Sequence, residues 1–176
     1  MEVRTMAYAS ATEIDIDEIP VIDVGGLASG DRAKIAAVGA EMRAAAERIG
    51  FFYVRNHGVD RNLVERAYAA SRAFFAAPDA AKRAVTINEQ HRGFLSVGQA
   101  KMYSGAKIDL KESYLWGLEL GPEDPDVAAG KPLMGPNNWP LAFPETQSAF
   151  YAYYLAICEC GQRLLTGLAA SLGRDP

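Results

Sequence analysis

A chain of 176 residues is enough for one domain with a sizeable core and short for two. Hydrophobic residues make up 49% and charged residues 23%, a composition that excludes a disordered chain. The formal net charge of −4 gives no electrostatic footprint for nucleic acid or an anionic membrane surface, so neither is expected as a partner.

Residues 1–12 show neither the apolar core of a signal peptide nor an arginine-rich amphipathic pattern. The reading is a flexible leader over 1–13 and a single domain over 14–176. No apolar run reaches the length of a bilayer span. Cys158 and Cys160 stand two apart in a helical pattern, about 200° of rotation from each other, which suits packing better than pairing. A reducing cytoplasm accommodates all of this.

Ile19-Pro20-Val21-Ile22-Asp23-Val24 is a short β-rich run with its proline near the start, followed by a glycine loop at Gly25, Gly26 and Gly30. Ser29 or Asp31 can cap a helix in which Ile35, Val38, Met42, Ala45 and Ile49 recur at helical steps until Gly50. Phe51-Phe52-Tyr53-Val54 is a continuous apolar run, which suggests a strand buried on both faces. Asn56-His57-Gly58 makes a turn, and Asp60 can cap a second helix through Leu63, Ala67, Ala70 and Phe74. Pro78 interrupts that helix and a short helical turn follows.

Periodicity fades between Thr86 and Gly105. A strand is expected over 110–118, and the proline-rich stretch 121–144 reads as a long irregular connection, of the kind that tends to be functional or to cover something. The last element is a helix beginning near Pro144, with Phe150, Tyr154, Ile157, Leu164, Leu168 and Leu172 as its apolar face and Gly173 as its stop. Strands and helices alternate, giving an α/β or α+β reading, yet the strands are few for helices this long. The expectation is that much of the sheet they lie on is missing from this sequence.

The residues name no reaction by themselves. Gly25-Gly26-Leu27-Ala28-Ser29-Gly30 sits between strand and helix, but it lacks both the dinucleotide and the P-loop spacing, and Asp31 would repel a phosphate. A non-haem iron centre takes two histidines and a carboxylate. Here His57-Gly58-Val59-Asp60 sets the acid one residue too far, and His91 has no acid beside it. Asp60 has a sufficient task as a helix cap, and His57 as a turn residue. No nucleophile elbow and no cysteine–histidine pairing is visible.

The order of segments is more telling. Ile19-Pro20-Val21-Ile22-Asp23 resembles the opening "IPVIDL" of the isopenicillin N synthase-like iron(II)- and 2-oxoglutarate-dependent oxygenases. Gly50-Phe51-Phe52-Tyr53-Val54-Arg55-Asn56-His57-Gly58-Val59 is similar to that family's "GFFYVxNHGV", and Phe74-Phe75-Ala76-Ala77-Pro78 with Lys82 to its "FFxLPxExK". Arg92-Gly93-Phe94 stands where the family has "RGY". Asp109-Leu110-Lys111-Glu112-Ser113-Tyr114 resembles "DxKExF", and Gly135-Pro136-Asn137-Asn138-Trp139-Pro140 resembles "GxNxWP".

The resemblance implies an α+β amino-terminal half that buttresses a double-stranded β-helix (jelly-roll) core, with the core itself mostly absent from this sequence. It implies Fe(II) and 2-oxoglutarate as cofactors of the complete protein, with no metal ligand and no catalytic residue among these positions. The implied reaction is hydroxylation, desaturation or ring closure of a small organic substrate. The implied partners are that small molecule and the missing C-terminal jelly-roll half. The alternative is a non-catalytic interaction module, or one half of a split oxygenase.

Residues for the pocket wall follow from strand alternation and the resemblance together. Tyr114 and Trp116 share one face and read as packing, while Ser113 and Leu115 share the face that in this family sees substrate. The loop before them offers Arg92, Lys101 and Met102, able to pair with an anionic substrate or line an apolar one. The other reading of these three is solvated charges and a filler methionine.

Overall fold

A computed structural model describes residues 19–100 and 109–175. The chain forms two compact units. One takes the sequence up to Gly58 and again from Cys160, and the other is Val59–Glu159.

In the first unit, strand β1 (Val21–Asp23) pairs in parallel with β2 (Tyr53–Arg55). The connection runs through a 3-10 turn at Gly25–Ala28 and helix α1 (Arg32–Arg48). Asp31 is the residue that caps α1, its carboxylate accepting from the Ala33 N–H at 2.9 Å. Ile35, Val38, Met42 and Ala45 face inward as their spacing requires, and they form a core with Ile22, Val24 and Leu27. The motif residues explain one another here. Asp23 accepts from the Gly25 N–H at 3.0 Å and from Asn56 Nδ2 at 2.7 Å, so one carboxylate ties the end of β1 to the turn after β2. These bonds, led by that from Gly25, hold its carboxyl below the usual range.

Two expectations are corrected in this unit. Phe51 and Tyr53 are 52% and 62% exposed, because β2 is paired on one edge only and its outer face meets no second layer among the described residues. The apolar face expected of the last helix, α5 (Pro144–Ser171), is not fully buried: Leu168 in this unit and Leu172 just past the helix end are exposed, as is Ile157 in the other unit. What it buries in this unit is Cys160, Gly167 and Ser171. Small residues allow α1 and α5 to approach closely. A Cβ on Gly39 would lie 2.9 Å from the Ser171 nitrogen and 3.1 Å from the Gly167 oxygen, so the fit depends on hydrogen at that position. Gly39→Val is expected to cost about 1–3 kcal/mol through overpacking, read as a lower urea midpoint at unchanged slope. A neutral result would mean that the crossing is loose.

The second unit begins with α2 (Arg61–Phe75), capped by Asp60, which accepts from the Asn62 N–H at 2.7 Å. Pro78 leads into the short α3 (Asp79–Arg83). Strands β3 (Gly93–Leu95) and β4 (Ser113–Leu115) pair antiparallel, and α4 (Pro125–Ala128) is a single turn in the proline-rich connection. The strand expected over 110–118 is therefore only three residues long. Its partner β3 is equally short, and Leu110 and Leu118 are exposed. Phe74 is fully buried at the centre of this unit, with the rings of Phe75, Phe94, Tyr114 and Phe143 packed edge-on around it at centroid distances of 4.9–5.9 Å. Trp116 stacks on Phe150 at 4.4 Å.

Candidate functional site

The register of β3 with β4 decides which side chains share a face. Gly93 stands opposite Leu115, Phe94 opposite Tyr114, and Leu95 opposite Ser113. Directly opposed residues lie on the same side of an antiparallel pair. Phe94 and Tyr114 therefore enter the aromatic core, and Leu95, Ser113 and Leu115 line the other face, each half-buried. Leu95 shares the face of Ser113 and Leu115, which the sequence reading missed; only the pairing of β3 with β4 identifies it.

Arg92 precedes β3. Its Nη1 donates to the Gln90 oxygen at 2.9 Å and its Nη2 to the Leu133 oxygen at 3.2 Å. Both carbonyls belong to turns that contain left-handed residues, His91 at φ 56° and Leu133 at φ 65°. The guanidinium lies against Gly117, where a Cβ would stand 2.8 Å from Nη2. Of the remaining residues proposed for the pocket, Lys101 and Met102 lie outside the described residues; Ser113 and Leu115 share one face of β4, while Arg92 lies just before β3 and against Gly117.

Behind this face a polar clamp joins the strand's continuation to the "GxNxWP" segment. The Glu119 carboxylate accepts from the Asn137 N–H at 3.0 Å, from Asn137 Nδ2 at 2.8 Å and from Trp139 Nε1 at 2.8 Å. Asn137 also exchanges bonds with Gly117, receiving its N–H at 2.8 Å and donating to its oxygen at 2.9 Å. Burial alone would raise the Glu119 carboxyl, but the bonds from Asn137 and Trp139 and the charge of Arg92 outweigh it and hold the group below its ordinary value. A carboxyl depressed in the fold stabilises fully above its unfolded value, and that stabilisation is lost as pH falls through the folded value. Stability is thus expected to decline on acidification below about pH 4.5, the ordinary value, and Glu119→Gln should flatten that decline in urea melts taken across the range. An unchanged slope would remove Glu119 from the account of acid sensitivity.

Two further contacts support the site. Lys82, almost fully buried, donates to Glu112 Oε2 at 2.7 Å and lies 5.4 Å from the centre of the Phe94 ring. The Tyr114 hydroxyl donates to the Asn138 oxygen at 2.6 Å, and burial followed by the nearby Glu119 charge pushes its ionisation far up. On the side of Tyr114 and Trp116, a separate cleft of about 230 Å³ is lined by Tyr68, Phe75, Phe150 and Tyr153.

An iron centre of two histidines and a carboxylate does not fit the described residues. No group of three or more His, Cys, Asp and Glu side chains is placed to hold a metal among them. His91 stands exposed at a left-handed turn, and the His57 backbone oxygen accepts from Arg163 Nη1 at 3.2 Å.

Among known families, the one described as "non-haem dioxygenase in morphine synthesis N-terminal" matches residues 19–142, and the chain belongs to it. Similar proteins include the 2-oxoglutarate-Fe(II) type oxidoreductase hxnY of Emericella nidulans, 30% identical over 87% of this chain and 45% of that protein. Another is the clavatol oxidase claD of Penicillium crustosum, 33% identical over 77% and 44%. The chain spans a little under half the length of these relatives. A solved 2OG-Fe(II) oxygenase family protein from Caulobacter crescentus superposes with a TM-score of 0.73 at 24% identity, over 89% of this chain and 49% of that one. The rice dioxygenase for auxin oxidation does so at 0.57 and 29% identity, over 89% and 46%. The mixed helix-and-strand fold is thus that of the amino-terminal part of these oxygenases. No helix among the described residues is long and apolar enough to cross a membrane.

Proposed function

We propose that this chain is the amino-terminal portion of an iron(II)- and 2-oxoglutarate-dependent oxygenase that oxidises a small organic substrate by hydroxylation, desaturation or ring closure. Its iron ligands then come from a jelly-roll half outside the 176 residues. The observation that carries the reading is the family match across 19–142, joined to relatives named as 2-oxoglutarate-dependent that are about twice as long. The described residues do not fit a metal site, and in this reading their share of the activity is support. Arg92, Ser113 and Leu115 contribute to one wall of the substrate pocket in this reading; Lys101 and Met102, expected there too, lie outside the described residues. The Glu119–Asn137–Trp139 clamp and the Lys82–Glu112 pair hold that wall in place.

The test is to join the chain to a jelly-roll half of this family and follow succinate formation with iron(II), ascorbate and candidate substrates. Substrate-stimulated succinate supports the reading; silence in a folded, iron-loaded polypeptide counts against it. A second reading, an interaction module or half of a split oxygenase, is favoured by the exposed Leu165 and Leu168 of α5 and Leu172 just past its end. It predicts recovery of activity when the two halves are mixed as separate chains.

A further inference from the structure

Tyr114 and Trp116 alternate with Ser113 and Leu115, so they leave β4 on its other side, where the cleft of about 230 Å³ lies within the second unit. One wall is a single stripe of α2. Val64, Ala67, Tyr68, Ser71 and Phe75 recur at three- and four-residue steps and so project from one side of that helix. Ala67 and Ser71, one turn apart, are its small members, and the cleft is the room they leave beside the larger rings. α5 supplies Phe150 and Tyr153, and β4 supplies Tyr114 and Trp116. None of the lining side chains is charged.

Several walls are fixed before any ligand arrives. The Tyr114 hydroxyl is engaged by the Asn138 oxygen at 2.6 Å, and the Trp116 ring stacks on Phe150 at 4.4 Å. Tyr68, by contrast, is 63% exposed, a large ring with little covering it. Trp116 Nε1 is buried with no hydrogen-bond partner, a donor that the fold leaves unsatisfied at a cost. We propose that this cleft is a small-molecule site distinct from the Ser113 and Leu115 face, and that its ligand is a neutral compound with one aromatic ring and a hydrogen-bonding substituent. Size sets the ring count: an apolar cavity of roughly 150 Å³ is enough for benzene, so this one takes a ring and a substituent of a few atoms. Charge is excluded because the lining offers no counter-ion to a buried one. The surrounding rings supply edge and face contacts, and the Ser71, Tyr68 and Tyr153 hydroxyls supply polar ones.

The experiment titrates benzamide, a neutral ring of this size, into the ¹⁵N-labelled 176-residue chain and follows its two indole N–H signals. Trp139 Nε1 is held by Glu119 and lies outside the lining, so it is the internal reference. A saturable shift at Trp116 is expected, with a Kd of about 1 mM or lower for a ligand of so few atoms. Benzoate, the same ring carrying a charge, should bind at least about tenfold more weakly. Ser71→Leu fills the cleft and should abolish the shift while keeping a cooperative urea transition. Ala67→Leu, one turn earlier, should do the same, so a folding defect in one variant leaves the other to decide. The inference is overturned by the absence of a saturable Trp116 shift up to about 10 mM benzamide, by benzoate binding as tightly, or by binding that survives in a folded variant. A Trp116 signal that moves with protein concentration alone also overturns it, giving the cleft to a second copy of the chain. None of these readouts involves iron, 2-oxoglutarate or turnover, and the inference does not rest on the oxygenase reading.

Discussion

Phe74→Ala is expected to lower stability by about 3–5 kcal/mol, the range for an aromatic ring removed from a tight core. Phe74 is fully buried and four other rings lean on it, so the surroundings cannot close over the cavity without giving up their own contacts. The readout is convenient. The chain's two tryptophans, Trp116 and Trp139, both pack against this cluster, so intrinsic fluorescence reports unfolding of the second unit directly. A urea midpoint barely moved from that of the unsubstituted chain would show that the aromatic cluster is not the organising core. The same substitution should leave the first unit's core intact, since Ile22, Leu27, Val38 and Met42 form a cluster of their own.

Glu119→Ala is the second large effect, expected at about 2–4 kcal/mol. Deleting the carboxylate strands three donors at once: the Asn137 N–H, its Nδ2 and the Trp139 Nε1. Hydrogen bonds to an ionised acceptor contribute more than neutral ones, and donors left unsatisfied keep their desolvation cost. Partial exposure of the clamp places the estimate below the sum of three full bonds. Glu119→Gln retains one acceptor oxygen and should recover part of the loss at neutral pH, measured in the same urea series. Equal losses for both variants would mean that charge, and not acceptor geometry, dominates. The functional consequence lies one step away: with Asn137 released, Gly117 loses both bonds that fix the strand's continuation beside Arg92.

The helices were legible from local rules alone. Asp31 and Asp60 cap as expected, Pro78 breaks as expected, and the spacing of Ile35, Val38, Met42 and Ala45 gives the buried stripe of α1. Strand extent was not legible, because it depends on the partner's length. The apolar stretch around β4 stops pairing where β3 stops, at Gly93 opposite Leu115. The buried side of α5 was read only in part, Phe150 and Leu164 packing inward while Ile157 and Leu168 do not. Pattern reading seeks large apolar residues, while the crossing with α1 is made by Gly39, Gly167 and Ser171, whose value is the space they leave.

The segments that carry the family resemblance turn out to be pairs of contacts distant in sequence. Asp23 of the first motif binds Asn56 of the second, and Lys82 of the third binds Glu112 of the fifth. Asn137 and Trp139 of the last bind Glu119, a residue that sequence reasoning did not single out. Its only signal was an acid soon after the strand, and nothing local distinguishes such an acid from a solvated one. The state of Arg92 was likewise hidden. The carbonyls that accept from it are set by left-handed turns at His91 and Leu133, which no periodicity reveals.

The central claim is that these residues support an oxygenase whose iron ligands lie outside them. It is tested most directly by anaerobic calorimetric titration of iron(II) into this chain, with and without 2-oxoglutarate. The account predicts no stoichiometric binding in either case. Stoichiometric micromolar binding that disappears in His57→Ala or His91→Ala would contradict it, and would place a metal site within the chain itself.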